Sequence, residues 1–321
     1  MSEKTGAVAV NEAMAEAMRR DKDVFLMGED VRNGGAFTVS KGLAKEFGDR
    51  IMNTPLAEAV ITGAATGAAV AGLRPILEIM FADCMGIAAD HIINSAAKMN
   101  YLCDGKTPCP LTIRAAEGYG LNLGCHHSQI AESWFLNTPG LKMVVPSNPN
   151  DAKGLLISSV EDNNPVIFLE HKKLYFMKGE APDGYYKIPI GKADVKREGK
   201  DLTIVSWGYE VNDVLTAAAE MEKEGISAEV VDLRTLRPLD TEAICASVKK
   251  TGRLMIVHEA PKFGGFGGEV AATAAECAFE HLKAPVVRLG GKECPVPFGV
   301  ETAIIPKIGE IVEAAKKLKK A

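Results

Sequence analysis

The chain has 321 residues, 47% of them hydrophobic and 25% charged, with a formal net charge of −5. That length and apolar content suit a globular protein of about two domains, and acidic and basic residues are intermixed with no basic stripe to follow phosphates, which argues against nucleic acid as the main partner. The longest small-residue apolar run, residues 59–73, is too short and too rich in Gly and Ala for a membrane span.

The opening MSEKTGAVAVNEAMAEAMRRDKD has neither the apolar core of a secretory signal nor the acid-poor, Arg- and Ser-rich character of a transit peptide, so a cytoplasmic location is expected. Helical patterns near 5–20, 55–72, 86–102, 128–136 and 149–161 alternate with the strand-like runs DVFLMGED, RPILEIMF, PLTIRAA, LKMVVPS and PVIFLEH. This alternation predicts an α/β fold with a parallel sheet covered on both faces. From His171 to Lys200 the pattern lapses into a charged, Gly- and Pro-containing stretch that reads as the crossing between domains. A second, smaller α/β set follows: DLTIVSWG, a helix near 210–224, AEVVDLRT, a helix from Asp240, RLMIVHE, a helix after Phe266, APVVRLGG, and a last helix from Pro306. The expected division is 1–175, a linker at 176–200, and 201–321. Seven cysteines, at 84, 103, 109, 125, 245, 277 and 294, include no CxxC pair. Neither a disulfide framework nor a zinc site has the spacing it needs, and reduced, mostly buried thiols are expected.

Open parallel sheets bind ligands at the carboxyl ends of their strands, so the segments that follow each strand carry the candidate chemistry. EGYGLNLGCHHSQ holds GxGxxxG at Gly118, Gly120 and Gly124, but the loop is too long before its helix for a dinucleotide fingerprint and no acid follows at the usual distance. GKT at 105–107 has Asn100 where a phosphate loop needs glycine, and GxSxG is absent. FGGFGGE, from Phe263, reads as a flexible loop opening a helix. His127, in a Gly-rich loop at a strand end, is a candidate for proton chemistry or for a loop-stabilising hydrogen bond. Glu58 stands almost alone among the small apolar residues of TPLAEAVITGAATGAAVAGLRP. A first-turn acid facing the positive end of the helix explains it as well as a functional role does.

Taken in order, GEDV, GLAKEFGDRIMNTPLAEA, GAAVAGLRPILEIMFAD, INSAAKM, HSQ, TPGLKMVVPSNPNDAKGLL, DNNPVIFLEHKKLY, GKADVKREGKDLTIV and VVDLRTLRPLDTE resemble the beta subunit of the thiamine diphosphate-dependent component of 2-oxo acid dehydrogenase complexes, acetoin dehydrogenases included. The resemblance runs from about residue 5 to 315. It implies an N-terminal pyrimidine-binding domain and a C-terminal transketolase-type domain. Glu58 then contacts a ring nitrogen of the cofactor's aminopyrimidine, where a carboxyl group in a dry pocket shares a proton with it. His127 reaches the reacting end and handles protons or the acyl acceptor, and Glu29 is a second acid near the cofactor. Leu111, Ser159, Val160, Asp162 and Asn164 fall where many members coordinate potassium, largely through backbone oxygens.

Cys84 stands where relatives usually place an aromatic residue near the pyrimidine, and Gly86 where many have a bulky side chain; His126 is an additional histidine without an assigned role. The chain has no GDG segment, which in thiamine enzymes holds the diphosphate and magnesium. An alpha subunit is therefore expected to supply that half of the site, in an α2β2 assembly that passes its acyl fragment to a lipoyl-bearing acyltransferase. The text from LY to IPIGKA resembles acetoin-type subunits slightly more than pyruvate-type ones. A split transketolase-like enzyme and a non-catalytic α/β binding subunit are the alternatives.

Overall fold

The computed structural model describes residues 1–321. In chain order the strands are β1 (Ser2–Thr5), β2 (Val24–Gly28), β3 (Ile51–Asn53), β4 (Arg74–Phe81), β5 (Thr112–Glu117), β6 (Lys142–Val144), β7 (Val166–His171), β8 (Lys178–Ala181), β9 (Asp194–Arg197), β10 (Leu202–Ser206), β11 (Ala228–Asp232), β12 (Thr235–Arg237), β13 (Leu254–Pro261) and β14 (Val287–Gly291). The helices are α1 (Gly6–Arg20), α2 (Leu43–Phe47), α3 (Glu58–Val70), α4 (Met85–Asp90), α5 (Ala97–Leu102), α6 (Glu132–Leu136), α7 (Pro149–Val160), α8 (Glu210–Lys223), α9 (Thr241–Thr251), α10 (Gly267–Ala278) and α11 (Ile308–Lys320). A π-helical turn, His91–Ala96, joins α4 to α5.

Local chemistry sets several boundaries. Asn148 caps α7 by accepting from the Asp151 N–H, with Pro149 in the first turn where a missing N–H costs nothing. Asp240 caps α9, which ends on Gly252 in the left-handed region (φ 76°).

The first sheet has the order β12-β6-β7-β5-β4-β2-β3. Its pairs are parallel except β12 with β6. The second has the order β14-β13-β10-β11-β9, antiparallel only at β9. Helices α1 and α7 cover one face of the first sheet through Met14, Leu26, Ile76, Leu155 and Phe168. On its other face one apolar cluster runs from Ile61, Leu77 and Ile113 through Phe135 and Leu236 to Val205 and Ile256, so the two sheets share a core.

Three sequence expectations need correction. AEVVDLRT, read as one strand, ends as β11 at Asp232, and after Arg234 (φ 56°) its last residue, Thr235, opens the edge strand β12 of the first sheet. The patternless stretch from His171 to Lys200 contains β8, which pairs with β1, and β9, which edges the second sheet. The cysteines are not all thiols either, because Cys245 and Cys277 form a disulfide. They sit on α9 and α10, which pack side by side and bring the Cα atoms to 5.9 Å, a distance within the range a disulfide spans. Sequence spacing could not reveal a pair made by helix packing. Of the free thiols, Cys109 is buried and Cys294 exposed.

Candidate active site

Glu29, Glu58, Cys84 and His127 come from four different connections at the carboxyl edge of the first sheet: the ends of β2, β3, β4 and β5. Glu29 follows Gly28, whose carbonyl accepts from the Thr54 N–H at 2.9 Å, tying the segment after β2 to the one that leads into α3. Glu58 does occupy the first turn of α3, yet it is buried. Glu29 is 6% exposed and neither carboxylate oxygen has a hydrogen-bond partner. Burial first, then the charges of Glu58, Asp30 and Glu78, push its pKa up to about 7. The Cys84 thiol lies beside Glu58: burial, and after it that carboxylate, raise its pKa to about 12. Cys84 therefore stays a neutral thiol at physiological pH.

Small residues do let a neighbour approach α3. A Cβ on Gly63 would lie 2.9 Å from the His91 ring, which the π-helical turn brings against the helix. By contrast, a Cβ on Gly86 would meet nothing within 4 Å. Leu56 (77%) and Val60 (68%), two residues to either side of Glu58, and Ile87 (64%), next to Gly86, are large apolar side chains left exposed.

The aromatic surface missing at position 84 is present three residues earlier. Phe81, at the end of β4, meets the His127 ring edge-on with centroids 4.4 Å apart. Asp83 accepts from the Gln129 backbone N–H (3.3 Å) and from its Nε2 (2.8 Å), which joins the turn carrying Cys84 to the loop carrying His127. Lys172, fully buried, donates to the His127 carbonyl and, at 2.8 Å, to Ser128 Oγ. Its burial lowers the ammonium pKa to about 8, although Glu301, Asp83, Glu259 and Glu117 pull the other way. Phe81, Asp83, Lys172 and Glu301 were not singled out from sequence, because nothing in residue type or spacing distinguishes them from core and surface residues.

The glycines of the rejected dinucleotide motif have steric reasons. Gly118 and Gly120 have positive φ (94° and 105°), and a Cβ would lie 2.1 Å from the His171 ring and 2.7 Å from Lys173 Cδ respectively. FGGFGGE does open a helix, α10, and two of its glycines make room for a buried histidine: a Cβ on Gly265 or Gly267 would lie 2.7 or 2.6 Å from the His258 ring.

Behind the His127 loop the two domains meet across buried acids. His171 Nε2 lies 2.8 Å from Glu259 Oε2, Trp207 Nε1 donates to Glu132 Oε1 at 2.6 Å, and Glu117 accepts from the Ala131 N–H. Burial is the main cause that raises Glu117 and Glu210 well above the usual carboxylate range and Glu132 to about 8.

The five residues expected at a potassium site lie at the end of α7, in the turn that follows it and just before β5. Arg74 Nη1 donates to the Val160 and Asp162 carbonyls at 3.2 Å each. The Asp162 carboxylate pairs with Lys142. The Leu111 carbonyl accepts from the Val166 N–H, and that of Ser159 from the Asp162 N–H. Asn164 donates its own N–H to Asp162 Oδ1. His126 is exposed, with Nδ1 3.5 Å from Cys125 Sγ.

Comparison with known proteins identifies the two domains and the family. Residues 3–178 match the transketolase pyrimidine binding domain and residues 191–311 the transketolase C-terminal domain. The chain is 45% identical to the beta subunit of acetoin:2,6-dichlorophenolindophenol oxidoreductase of Cupriavidus necator, covering 98% of this chain and 96% of that one. It is also 45% identical to the pyruvate dehydrogenase E1 component subunit beta of Staphylococcus epidermidis, over 98% of each. With the 2-oxoisovalerate dehydrogenase subunit beta of Bacillus subtilis the identity is 50%, over 89% of each. A solved split-gene transketolase, an inactive beta4 tetramer, shares the fold with a TM-score of 0.81 at 24% identity, over 98% of each chain. The chain belongs to the family of E1 beta subunits of thiamine diphosphate-dependent 2-oxo acid and acetoin dehydrogenases.

Proposed function

We propose that the chain is the beta subunit of an acetoin-type dehydrogenase that cleaves the C–C bond beside a carbonyl and passes the two-carbon fragment to a lipoyl group on an acyltransferase. The observation that carries the site assignment is the buried pair Glu29 and Glu58, one of whose members has no hydrogen-bond partner within the chain. Buried carboxyl groups are costly unless satisfied. A protonatable aminopyrimidine laid against them fits that need, and the Phe81 ring supplies an apolar wall.

When bound, thiamine diphosphate supplies the carbon nucleophile and takes up the electron pair released as the substrate bond breaks. Glu58 holds and returns a proton at its carboxyl group. Glu29, which takes up a proton near neutrality, limits the negative charge beside it. Cys84 and Phe81 exclude water, and His127 presents an exposed imidazole on a fixed backbone to the proton or acyl acceptor. The diphosphate and magnesium are assigned to an alpha subunit in an α2β2 enzyme. Exposed Leu56, Val60 and Ile87 support a partner that covers them. A potassium ion would have to share two carbonyls with the Arg74 guanidinium, so no step is assigned to it. The cytoplasm is the proposed location.

Acetoin is favoured over pyruvate because the text from LY to IPIGKA resembles acetoin-type subunits, and the small Cys84 and the unobstructed Gly86 are compatible with room for a neutral four-carbon substrate. The test uses the chain co-purified with its alpha subunit. Reduction of an artificial electron acceptor is expected to be faster with acetoin than with pyruvate or branched-chain 2-oxo acids, and a preference for any 2-oxo acid rejects the substrate while sparing the family. Calorimetry on the chain alone should show negligible affinity for thiamine diphosphate with magnesium; micromolar binding would reject the division of the site between two subunits.

A further inference from the structure

Glu301 lies in the C-terminal domain, 174 positions from His127 in sequence, and is completely buried. Its carboxylate is wrapped by the loop that carries His127. Oε2 accepts from the N–H groups of Gly120 (2.8 Å) and Asn122 (2.9 Å), and Oε1 from the Gly124 N–H and Ser128 Oγ (both 2.7 Å). Three alternate N–H groups converge because Gly120, Asn122 and Gly124 all have positive φ (105°, 56° and 77°), which turns successive amides to one side as in an anion-binding nest. The glycine spacing that imitates a phosphate cradle does hold an anion, and that anion is the protein's own.

The surrounding contacts make this a joint between domains. Tyr119 and Ile130, at the two ends of the loop, share a small apolar cluster with Ala260, Val296, Ile304 and Ile305. Lys172 supplies the opposite charge from below and fixes the His127 carbonyl. The His127 N–H donates to the Gly124 carbonyl. His127 is thus an exposed side chain whose backbone is bonded on both sides, with the neighbouring Gly124 and Ser128 both held by Glu301. Burial alone would raise the Glu301 pKa, but the hydrogen bonds from Ser128, Gly124, Gly120 and Asn122 outweigh it and hold the group below the usual carboxylate range.

We propose that Glu301 is a positioning residue: through the backbone nest of residues 120–128 the C-terminal domain sets the place of the His127 imidazole. This rests on the reading of His127 as the group that handles the proton or acyl acceptor. Glu301→Gln tests it, because an amide would direct N–H donors of its own at the donors of the loop. In the reconstituted αβ enzyme it is expected to leave thiamine diphosphate affinity unchanged, to speed amide hydrogen exchange at residues 118–129, and to lower kcat by about tenfold or more. Ser128→Ala, which removes one of the four bonds to Glu301 together with the bond from Lys172, should act in the same direction with a smaller loss and covers the case in which Glu301→Gln does not fold.

The double variant with His127→Ala distinguishes position from general stability. If Glu301 acts through His127, adding Glu301→Gln to His127→Ala costs no further kcat. Additive losses, or unchanged exchange in the loop, overturn the proposal while His127 keeps its role. Wild-type turnover by His127→Ala alone would overturn the reading of His127 and the proposal with it.

Discussion

Two groups of buried acids, one on the strands of the first sheet and one in the connections at its carboxyl edge, are treated differently. Glu78 on β4 and Glu170 on β7 flank Arg114 on the strand between them. The guanidinium donates to Glu78 Oε2 at 2.8 Å and to both oxygens of Glu170 at 2.7 and 2.8 Å, and the Tyr175 hydroxyl adds a fourth bond at 2.7 Å. Burial alone would lower the arginine pKa, but the two carboxylates outweigh it and raise it. Neighbouring Glu29 receives no cation and no hydrogen bond. The fold can neutralise buried carboxylates where they serve structure. A buried acid left without a partner at a strand end, as Glu29 is, is a candidate for exchanging a proton with a bound group.

The largest effect should come from removing proton exchange at Glu58. Glu58→Gln keeps size and polarity but cannot pass a proton, so kcat of the αβ enzyme is expected to fall by about three orders of magnitude with assembly intact. Near-wild-type single-turnover rates would remove Glu58 from the chemistry. Breaking the paired site should instead cost stability. Arg114→Met leaves Glu78 and Glu170 facing each other without a cation, and about 3–5 kcal/mol of unfolding free energy should be lost in denaturant titrations. A loss below about 1 kcal/mol would mean that the two groups of acids are not differently treated after all.

Glu29→Gln sharpens the same contrast through pH. The folded pKa of Glu29 is about 7, above the ordinary 4.5, so the folded state binds the extra proton between these values. Its contribution is complete below about pH 4.5 and is lost as pH rises through 7. Wild-type stability should carry a downward slope from this group between about pH 5 and 7, worth ~2 kcal/mol, and Glu29→Gln should flatten it. An unchanged slope in pH-dependent unfolding would show that Glu29 is solvated in the free chain.

The elements around these acids were legible because their apolar periodicity is local. β4 coincides with RPILEIMF, and α7 begins at the Asn-Pro cap. The place of His127 after a strand and of Glu58 in a helix's first turn also followed from the alternation of strands and helices, whereas Glu29 and Cys84 were implied only by the family resemblance. What could not be read depends on distant partners. β12 crosses to the other sheet after a left-handed Arg234, Cys245 finds Cys277 through helix packing, and Glu301 meets the His127 loop only once both domains have formed. Arg114 and Glu301 carry no signature of type or spacing, because a buried ion pair and a surface charge look alike in one sequence.

The smallest effect uses Cys84 to sense the charge on Glu58. Its thiol is held near pKa 12 by burial first and by Glu58 second, so alkylation at pH 8 should be far slower than at exposed Cys294. Replacing Glu58 with glutamine removes the largest carboxylate contribution but leaves the burial and the weaker effects of Asp83 and Glu29. The thiolate fraction should then rise by several-fold, not to the level of a free cysteine, because the largest cause, burial, remains. Peptide-resolved mass spectrometry of iodoacetamide labelling in the isolated chain would measure this at position 84 alone. Unchanged labelling would place the Glu58 carboxylate too far from Cys84 to share a pocket with it. A rise to the rate of Cys294 would mean that Glu58, and not exclusion of water, keeps the thiol neutral.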